Sequence, residues 1–214
     1  MKRAIISLAT NRGNYYQGLA RLADSLKGRT TADFIGFMGE AAVGAPLHTE
    51  IPYGFKLWAH QHVRSMGYDQ VIWLDSSVYA VASIDHLFDM LPENGLIMQE
   101  AGCSVGQWCN DHTLNWFGIT RVEAMKMPCY GNAGFIGFDW RHPNAQMFFG
   151  RWWKAMDNGC FNGSWKNHRH DLTCGSIIAN QMGLSYIKGD QVLQYAAPGT
   201  IPQNETICLF AQGL

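Results

Sequence analysis

Short apolar runs alternate along this chain with segments whose apolar residues recur every three or four positions. Ala4–Thr10 is the first run and reads as a buried strand. In YYQGLARLADSLKG, Leu19, Leu22 and Leu26 share one helical face and Gly28 is placed as the C-cap. Asp33–Met38 reads as a second strand, and Pro52 and Gly54 introduce a helix over Phe55–Met66. Val71–Leu74 is the third strand, Ile84–Leu91 a short helix and Gly95–Gln99 the fourth strand. Residues 111–128 read as a helix in two pieces, Ala133–Asp139 as a fifth strand and Ala145–Met156 as an aromatic-rich helix. Asp171–Met182 is a last helix with Asp171 as a natural N-cap, and Leu184–Ile187 and Thr206–Phe210 are late strands.

Strands alternating with helices predict an α/β fold with a mostly parallel sheet flanked by helices. No repeat, low-complexity tract or linker interrupts it, so residues 1–214 are expected to form one domain. Ligands of such sheets bind beyond the carboxyl ends of the strands. The third strand reaches that end in VIWLDSSVYAV, where Asp75 closes an apolar run and Ser76 and Ser77 follow.

Composition narrows the function classes. Apolar residues make up 47% of the 214 residues, which excludes a disordered chain. Sixteen basic against seventeen acidic residues leave a net charge of −1, too little to hold nucleic acid through its phosphates. Eight Trp and eight Tyr suit stacking surfaces for sugars, as well as a large core. No run of 18 apolar residues spans a membrane. The opening MKRAIISLATNRGNYY has too short an apolar run for a signal peptide, so a cytoplasmic location is expected, the host-cell cytoplasm for a viral chain. The six cysteines form no C-x-x-C and are expected to be reduced thiols packed as small hydrophobes. There is no G-x-G-x-x-G after the first strand, no phosphate-binding G-x-x-x-x-G-K-[ST] and no G-x-S-x-G. Dinucleotide dehydrogenases, P-loop NTPases and α/β-hydrolases are thereby disfavoured.

IWLDSSVYAVASIDHLF resembles the stretch around the D-x-D motif of GT-A glycosyltransferases, especially glycosyltransferase family 8 and glycogenin. Further features follow in that family's order. Lys56-Leu57 in GFKLWAHQHV resembles its Lys-Leu, and Asn132-Ala133-Gly134 in YGNAGFIGFD its F-N-A-G strand entry. Asp171 in HRHDLTCGSIIANQMG resembles the D-Q of a later helix start, with Leu172 in place of the Gln. ISLATNRGNYYQGLARLADSL resembles the nucleotide-binding first strand and its Y-x-x-G-x-x-x-L-x-x-S-L helix. The likeness covers residues 1 to about 185, and the length is similar to that of small viral or phage glycosyltransferase domains.

The resemblance implies a GT-A (nucleotide-diphospho-sugar transferase, Rossmann-like) fold and a hexosyltransferase. Its donor would be a UDP- or GDP-sugar and its acceptor a glycan or glycoprotein. Thr10, Asn11, Tyr16, Lys56, Asp75, Ser76, Ser77, Asn132, Ala133 and Gly134 would bind the donor. Asp75 and Ser77 would hold Mn²⁺ or Mg²⁺, although Ser77 replaces the second acid and brings no charge. Lys56 would carry part of the diphosphate's charge, and Asp171 would stand near the reacting sugar carbon. Glu100, His168, Arg169 and His170 are acceptor-side or accessory candidates, the last three as a cationic cluster, and Asp139 is a weaker one. The family's C-terminal histidine ligand has no match in ICLFAQGL. Plainer roles stay open: Asp75 capping a turn, Asp171 capping its helix, Asn132 capping a strand entry, and His168–His170 as a solvated loop. Two other functions also stay open, a non-catalytic nucleotide-sugar-binding domain and a sugar nucleotidyltransferase.

Overall fold

The computed structural model describes residues 1–11, 13–131, 134–184, 186–197 and 199–213. The first half runs β1 (Arg3–Ala9), α1 (Tyr15–Leu26), β2 (Asp33–Met38), α2 (Phe55–Ser65), β3 (Gln70–Trp73), β4 (Val78–Ala80), α3 (His86–Asn94) and β5 (Leu96–Met98). Then come β6 (Glu100–Ser104), α4 (Val105–Trp108), α5 (Asp111–Phe117), α6 (Arg121–Ala124), β7 (Pro128–Tyr130) and β8 (Ile136–Asp139). The chain continues through α7 (Pro143–Asp157), α8 (His170–Met182), β9 (Leu193–Tyr195) and β10 (Leu209–Ala211).

The central sheet has the order β2-β1-β3-β8-β5. β1, β2 and β3 are parallel, whereas β8 runs antiparallel to both of its neighbours. The period-2 alternation of the strands sorts the core into two faces. Ile5 and Ile72 pack with Leu22 and Leu26 of α1 and Phe88 of α3. Ala4, Ile6, Val71 and Trp73 face the other way, onto Leu57 of α2, Phe148 of α7 and Ile178 of α8. This is the expected mixed α/β architecture, a sheet flanked by helices.

The differences from the expected elements have physical causes. Thr206–Phe210 shifts to β10, and in the expected strand Leu184–Ile187, where residue 185 lies outside the described residues, Ile187 forms an isolated bridge to Gln99. β4, β6, β7 and β9 are three to five residues long, too short to show a period. Asp171 is not the N-cap of α8. Arg169 takes that position, and Asp171 lies inside the first turn with its side chain turned to an ion pair. The six cysteines are free thiols, as expected. No helix among the described residues is long and apolar enough to cross a membrane.

One core residue makes an acid-stability prediction. His60 of α2 is fully buried, and neither ring nitrogen has a hydrogen-bond partner among the described residues. The rings of Trp73, Phe138, Trp140 and Phe149 surround it at 4.8–6.2 Å. Burial, helped by the Lys56 charge, holds its imidazole down at about 3. The unfolded chain takes up that proton near pH 6.5, so stability is intact above this value and falls as the pH drops toward 3, by up to about 1.4 kcal/mol per pH unit. His168, held down at about 4 chiefly by burial, acts in the same direction. His60→Leu should therefore flatten the fall in melting temperature between pH 6.5 and 4, as read by calorimetry. An unchanged slope would place the acid sensitivity elsewhere.

Candidate functional site

β3 ends at Trp73, but its direction persists for one more residue, because the Leu74 amide donates to the Ile6 carbonyl at 3.0 Å. The chain then turns. The Val78 amide donates to the Asp75 carbonyl at 2.9 Å, which closes a turn over Ser76 and Ser77. Asp75 and Ser77 thus lie on a turn rather than on an extended strand end. Both line the same cleft, at the carboxyl end of a central parallel strand.

Two donors hold the Asp75 carboxylate in place. The buried Trp73 indole donates from Nε1 to Asp75 Oδ1 at 2.7 Å. Lys56, in the first turn of α2, brings Nζ to 3.2 Å from the same oxygen. That ammonium also lies 2.9 Å from Oδ2 of Asp171, in the first turn of α8. Burial alone would push the Lys56 ammonium down, but Asp171 and Asp75 outweigh it and hold it above its ordinary range. Burial pushes the Asp171 carboxyl up, with Lys56 opposing the rise and Asp75 adding to it. Two carboxylates sharing one ammonium leave the cluster with a net charge of −1.

Gly134 completes the holder. Its φ is +69°, and a Cβ on it would stand 2.1–2.3 Å from the Asp75 carboxylate atoms. Only a residue without a side chain lets this backbone pass so close. Gly134→Ala should push the carboxylate off its donors and abolish ligand binding at Asp75. A structure of the variant with Asp75 still 2.7 Å from Trp73 Nε1 would contradict this.

The cleft has a volume of about 320 Å³. Leu8, Thr10, Tyr15, His48, Tyr53, Phe55, Asp75, Ser76, Ser77 and Gly213 line it. On the other side of Lys56 and Asp171 is a cavity of about 20 Å³, walled by Tyr130, Trp152 and Gly175, with room for about one water. Tyr53, on the cleft side, stands over Lys56. Its ring lies 5.1 Å from Lys56 Nζ, and burial with the Asp171 charge raises its phenol.

The structure brings together several residues expected from sequence. Thr10, Asp75, Ser76 and Ser77 line the cleft, and Lys56, Asp171 and Gly134 sit directly behind Asp75. Asn132 and Ala133 lie outside the described residues. Five expectations need correction. Lys56 does not face the cleft; it is buried beneath Asp75 with its charge already matched. Tyr15, not Tyr16, lines the cleft, since adjacent helix positions point about 100° apart. Asn11 is exposed and is not among the lining residues. Glu100 lines a separate surface groove with Cys103 and Lys126. Asp139 pairs with Gln70 at the start of β3, at the opposite end of the strands from Asp75, because β8 is antiparallel.

The His168–His170 cluster is also corrected. Both histidines are buried, with His168 on the Cys160 carbonyl and His170 on the Phe161 carbonyl, each at 2.8 Å. His168 is held neutral, so the cluster is no dense cationic patch. Sequence reasoning missed Tyr15, His48, Tyr53, Phe55 and Trp73. The nearest signal was the run of rings around Lys56, in YGFKLW.

No protein-family model matches the chain, and no curated protein matches it in sequence. Its fold is found among solved structures. The chain superposes on a glycosyltransferase involved in the glycosylation of the major capsid of PBCV-1. The TM-score is 0.60 at 15% identity, over 99% of this chain and 93% of that one. The match therefore concerns the fold.

The oxygen donors at the cleft define what metal it can take. Asp75 Oδ1 already accepts from Trp73 and Lys56, which leaves Oδ2 as the free carboxylate oxygen beside the hydroxyls of Thr10, Ser76 and Ser77. Among the described residues no three His, Cys, Asp or Glu side chains converge on one ion. A divalent ion wants six or more oxygens, so this set is fit to share an ion that brings its other ligands, not to cage one alone.

Proposed function

We propose that this chain is a glycosyltransferase that moves a sugar from a nucleoside-diphosphate sugar, UDP- or GDP-linked, to a carbohydrate or glycoprotein acceptor. The observation that carries this reading is the Asp75 carboxylate, fixed by Trp73 and Lys56 and presented to a ring-lined cleft at the carboxyl end of β3. The cleft volume falls in the usual range for small-ligand sites. Tyr15, His48, Tyr53 and Phe55 provide flat surfaces for a base, and Asp75, Ser76 and Ser77 provide polar groups for ribose and diphosphate. The superposed capsid glycosyltransferase supports the same reading.

The electrostatics add a requirement. A cluster of formal net charge −1 repels a diphosphate, and among the described residues no Lys or Arg lines the cleft. We therefore assign a divalent cation, Mn²⁺ or Mg²⁺, that arrives with the nucleotide and is shared by Asp75 and Ser77. Such an ion neutralises charge on the leaving diphosphate. Lys56 holds both carboxylates in place. Asp171, its other partner, is assigned to the reacting sugar carbon. The chain's balanced charge gives no reason to expect a nucleic-acid partner.

A second reading rests on the closed Lys56–Asp171 pair, which keeps Asp171 7% exposed. If the pair stays shut, the chain binds nucleotide-sugars without turnover. A thermal-shift screen of UDP- and GDP-sugars with and without Mn²⁺, run beside a product assay, separates the two. A ligand at 100 times its Kd stabilises the fold by about 2.7 kcal/mol. Transfer predicts stabilisation and product; binding alone predicts stabilisation only; no shift with any nucleotide-sugar defeats both. Mn²⁺ titrated into the free chain should bind weakly, and tightly only with UDP present. Tight binding to the free chain would mean that other ligands complete the metal site.

A further inference from the structure

The two non-glycine residues with left-handed backbone, among those described, are Tyr53 at φ 60° and His170 at φ 37°. Such conformations cost about 1–3 kcal/mol each and persist only where the surroundings hold them. Here they face each other. Their rings stack at 5.5 Å with 29° between planes, beside the Lys56–Asp171 pair. The stack continues outward. Trp165 lies 5.7 Å from the His170 ring and 5.8 Å from the Tyr53 ring. The Arg169 guanidinium sits 4.1 Å from the Trp165 ring centre and 3.8 Å from that of Trp108. One end of this column is therefore a wall of the cleft, through Tyr53, and the other is an arginine held between two indoles.

The outer end has the chemistry of a binding surface. Trp165 is 54% exposed. Arg169 forms no ion pair with any described carboxylate. Its NH1 donates to the Trp165 carbonyl and its backbone amide donates to the Trp108 carbonyl at 2.9 Å, so its position is set from both sides. A guanidinium stacked in this way has lost its rotamer freedom already, while its Nε and Nη2 groups have no acceptor among the described residues and lie in the plane that suits a bidentate anion. Indole rings beside it suit the C–H faces of a sugar.

We propose that Trp108, Arg169 and Trp165 form the acceptor subsite, and that it takes a sugar unit carrying an anionic group, a carboxylate or a phosphate. The proposal rests on the transfer reading for its role in catalysis. The placement of the column gives the route: an acceptor held at Arg169 lies two residues along the chain from Asp171 and one ring from the cleft wall.

The test uses the full chain and three probes: methyl β-D-glucuronide, glucose 6-phosphate and methyl β-D-glucoside. Each is titrated with tryptophan fluorescence as readout, and UDP with Mn²⁺ is titrated separately by calorimetry. At least one anionic probe should bind ten-fold or more tightly than the neutral glucoside, and which one it is identifies the anion. Arg169→Gln should erase that preference. Arg169→Lys should restore only part of it, because the charge returns without the planar fork. Trp165→Ala should weaken all three probes. UDP affinity should be unchanged in every variant, which also shows that the variants fold. Equal affinity for anionic and neutral probes, or a preference that survives Arg169→Gln, overturns the proposal. Failure of UDP to bind the wild type would instead strike the transfer reading, with the anion result still standing on its own.

Discussion

Replacing Lys56 with Met should cost the fold about 3–5 kcal/mol at neutral pH, the usual penalty for removing one partner of a buried ion pair. The reason lies in what remains. Asp171 would keep its buried position without its ion-pair partner among the described residues, and Asp75 would lose one of its two donors. The burial that already raises the Asp171 carboxyl would then act unopposed. The carboxyl should take up a proton in the folded variant while staying ionised in the unfolded one near neutral pH. The deficit should therefore shrink as pH falls toward the unfolded value near 3.9, by up to about 1.4 kcal/mol per unit. Urea unfolding of wild type and variant at pH 7.5 and 5.5 measures both effects. The double variant Lys56→Met, Asp171→Asn should recover much of the loss, since coupled partners are not additive. A pH-independent deficit, with no recovery in the double variant, would show that Lys56 contributes packing and not charge balance.

Asp75→Asn should do the reverse, leaving the fold and removing the function. The Asn carbonyl oxygen can still accept from Trp73 Nε1, and Lys56 keeps Asp171. Asp75 is also the more exposed of the two acids, at 29% of its side chain against 10%. The melting temperature should thus move by only a few degrees. Sugar transfer should fall about 10²–10³-fold, the size of losing one preorganised electrostatic contact in a site. UDP-dependent Mn²⁺ binding should weaken in parallel, because the shared ion would keep only the Ser77 hydroxyl and a neutral amide. The measurements are kcat/KM for product formation and a Mn²⁺ titration with UDP. Unchanged turnover would reduce Asp75 to a turn-capping residue.

The site was partly legible before folding. Asp75 was visible because an apolar strand ending in an acid is a local pattern, and because strand ends in α/β sheets line ligand sites. Lys56, Gly134 and Asp171 came from family resemblance, and the structure places all three against or behind Asp75. Their contacts were not visible. Lys56 looked like a cation for the diphosphate and is instead spent on two carboxylates. Trp73 looked like one more apolar strand residue, yet its indole N–H is the shortest bond to Asp75. Tyr53 and His170 adopt left-handed backbone that ordinary propensity disfavours, so no local rule would have faced their rings toward each other.

Local patterns set the order and type of the long elements and the sorting of the core. Leu22 and Leu26 had to share a helical face, and Ile5 and Ile6 had to point to opposite sides of a strand, because those periods are properties of the local backbone. Local patterns also placed Asp75 at the end of the third strand. Long-range packing set the antiparallel direction of β8, and that choice settled two residues at once. It carried Asp139 to the far end of the strands and brought Gly134 onto the Asp75 carboxylate. The same holds for the histidines of HRHD, which looked charged and are buried on backbone carbonyls. Strand direction, ion pairing and desolvation depend on contacts between residues far apart in the chain, and no short stretch of sequence encodes them.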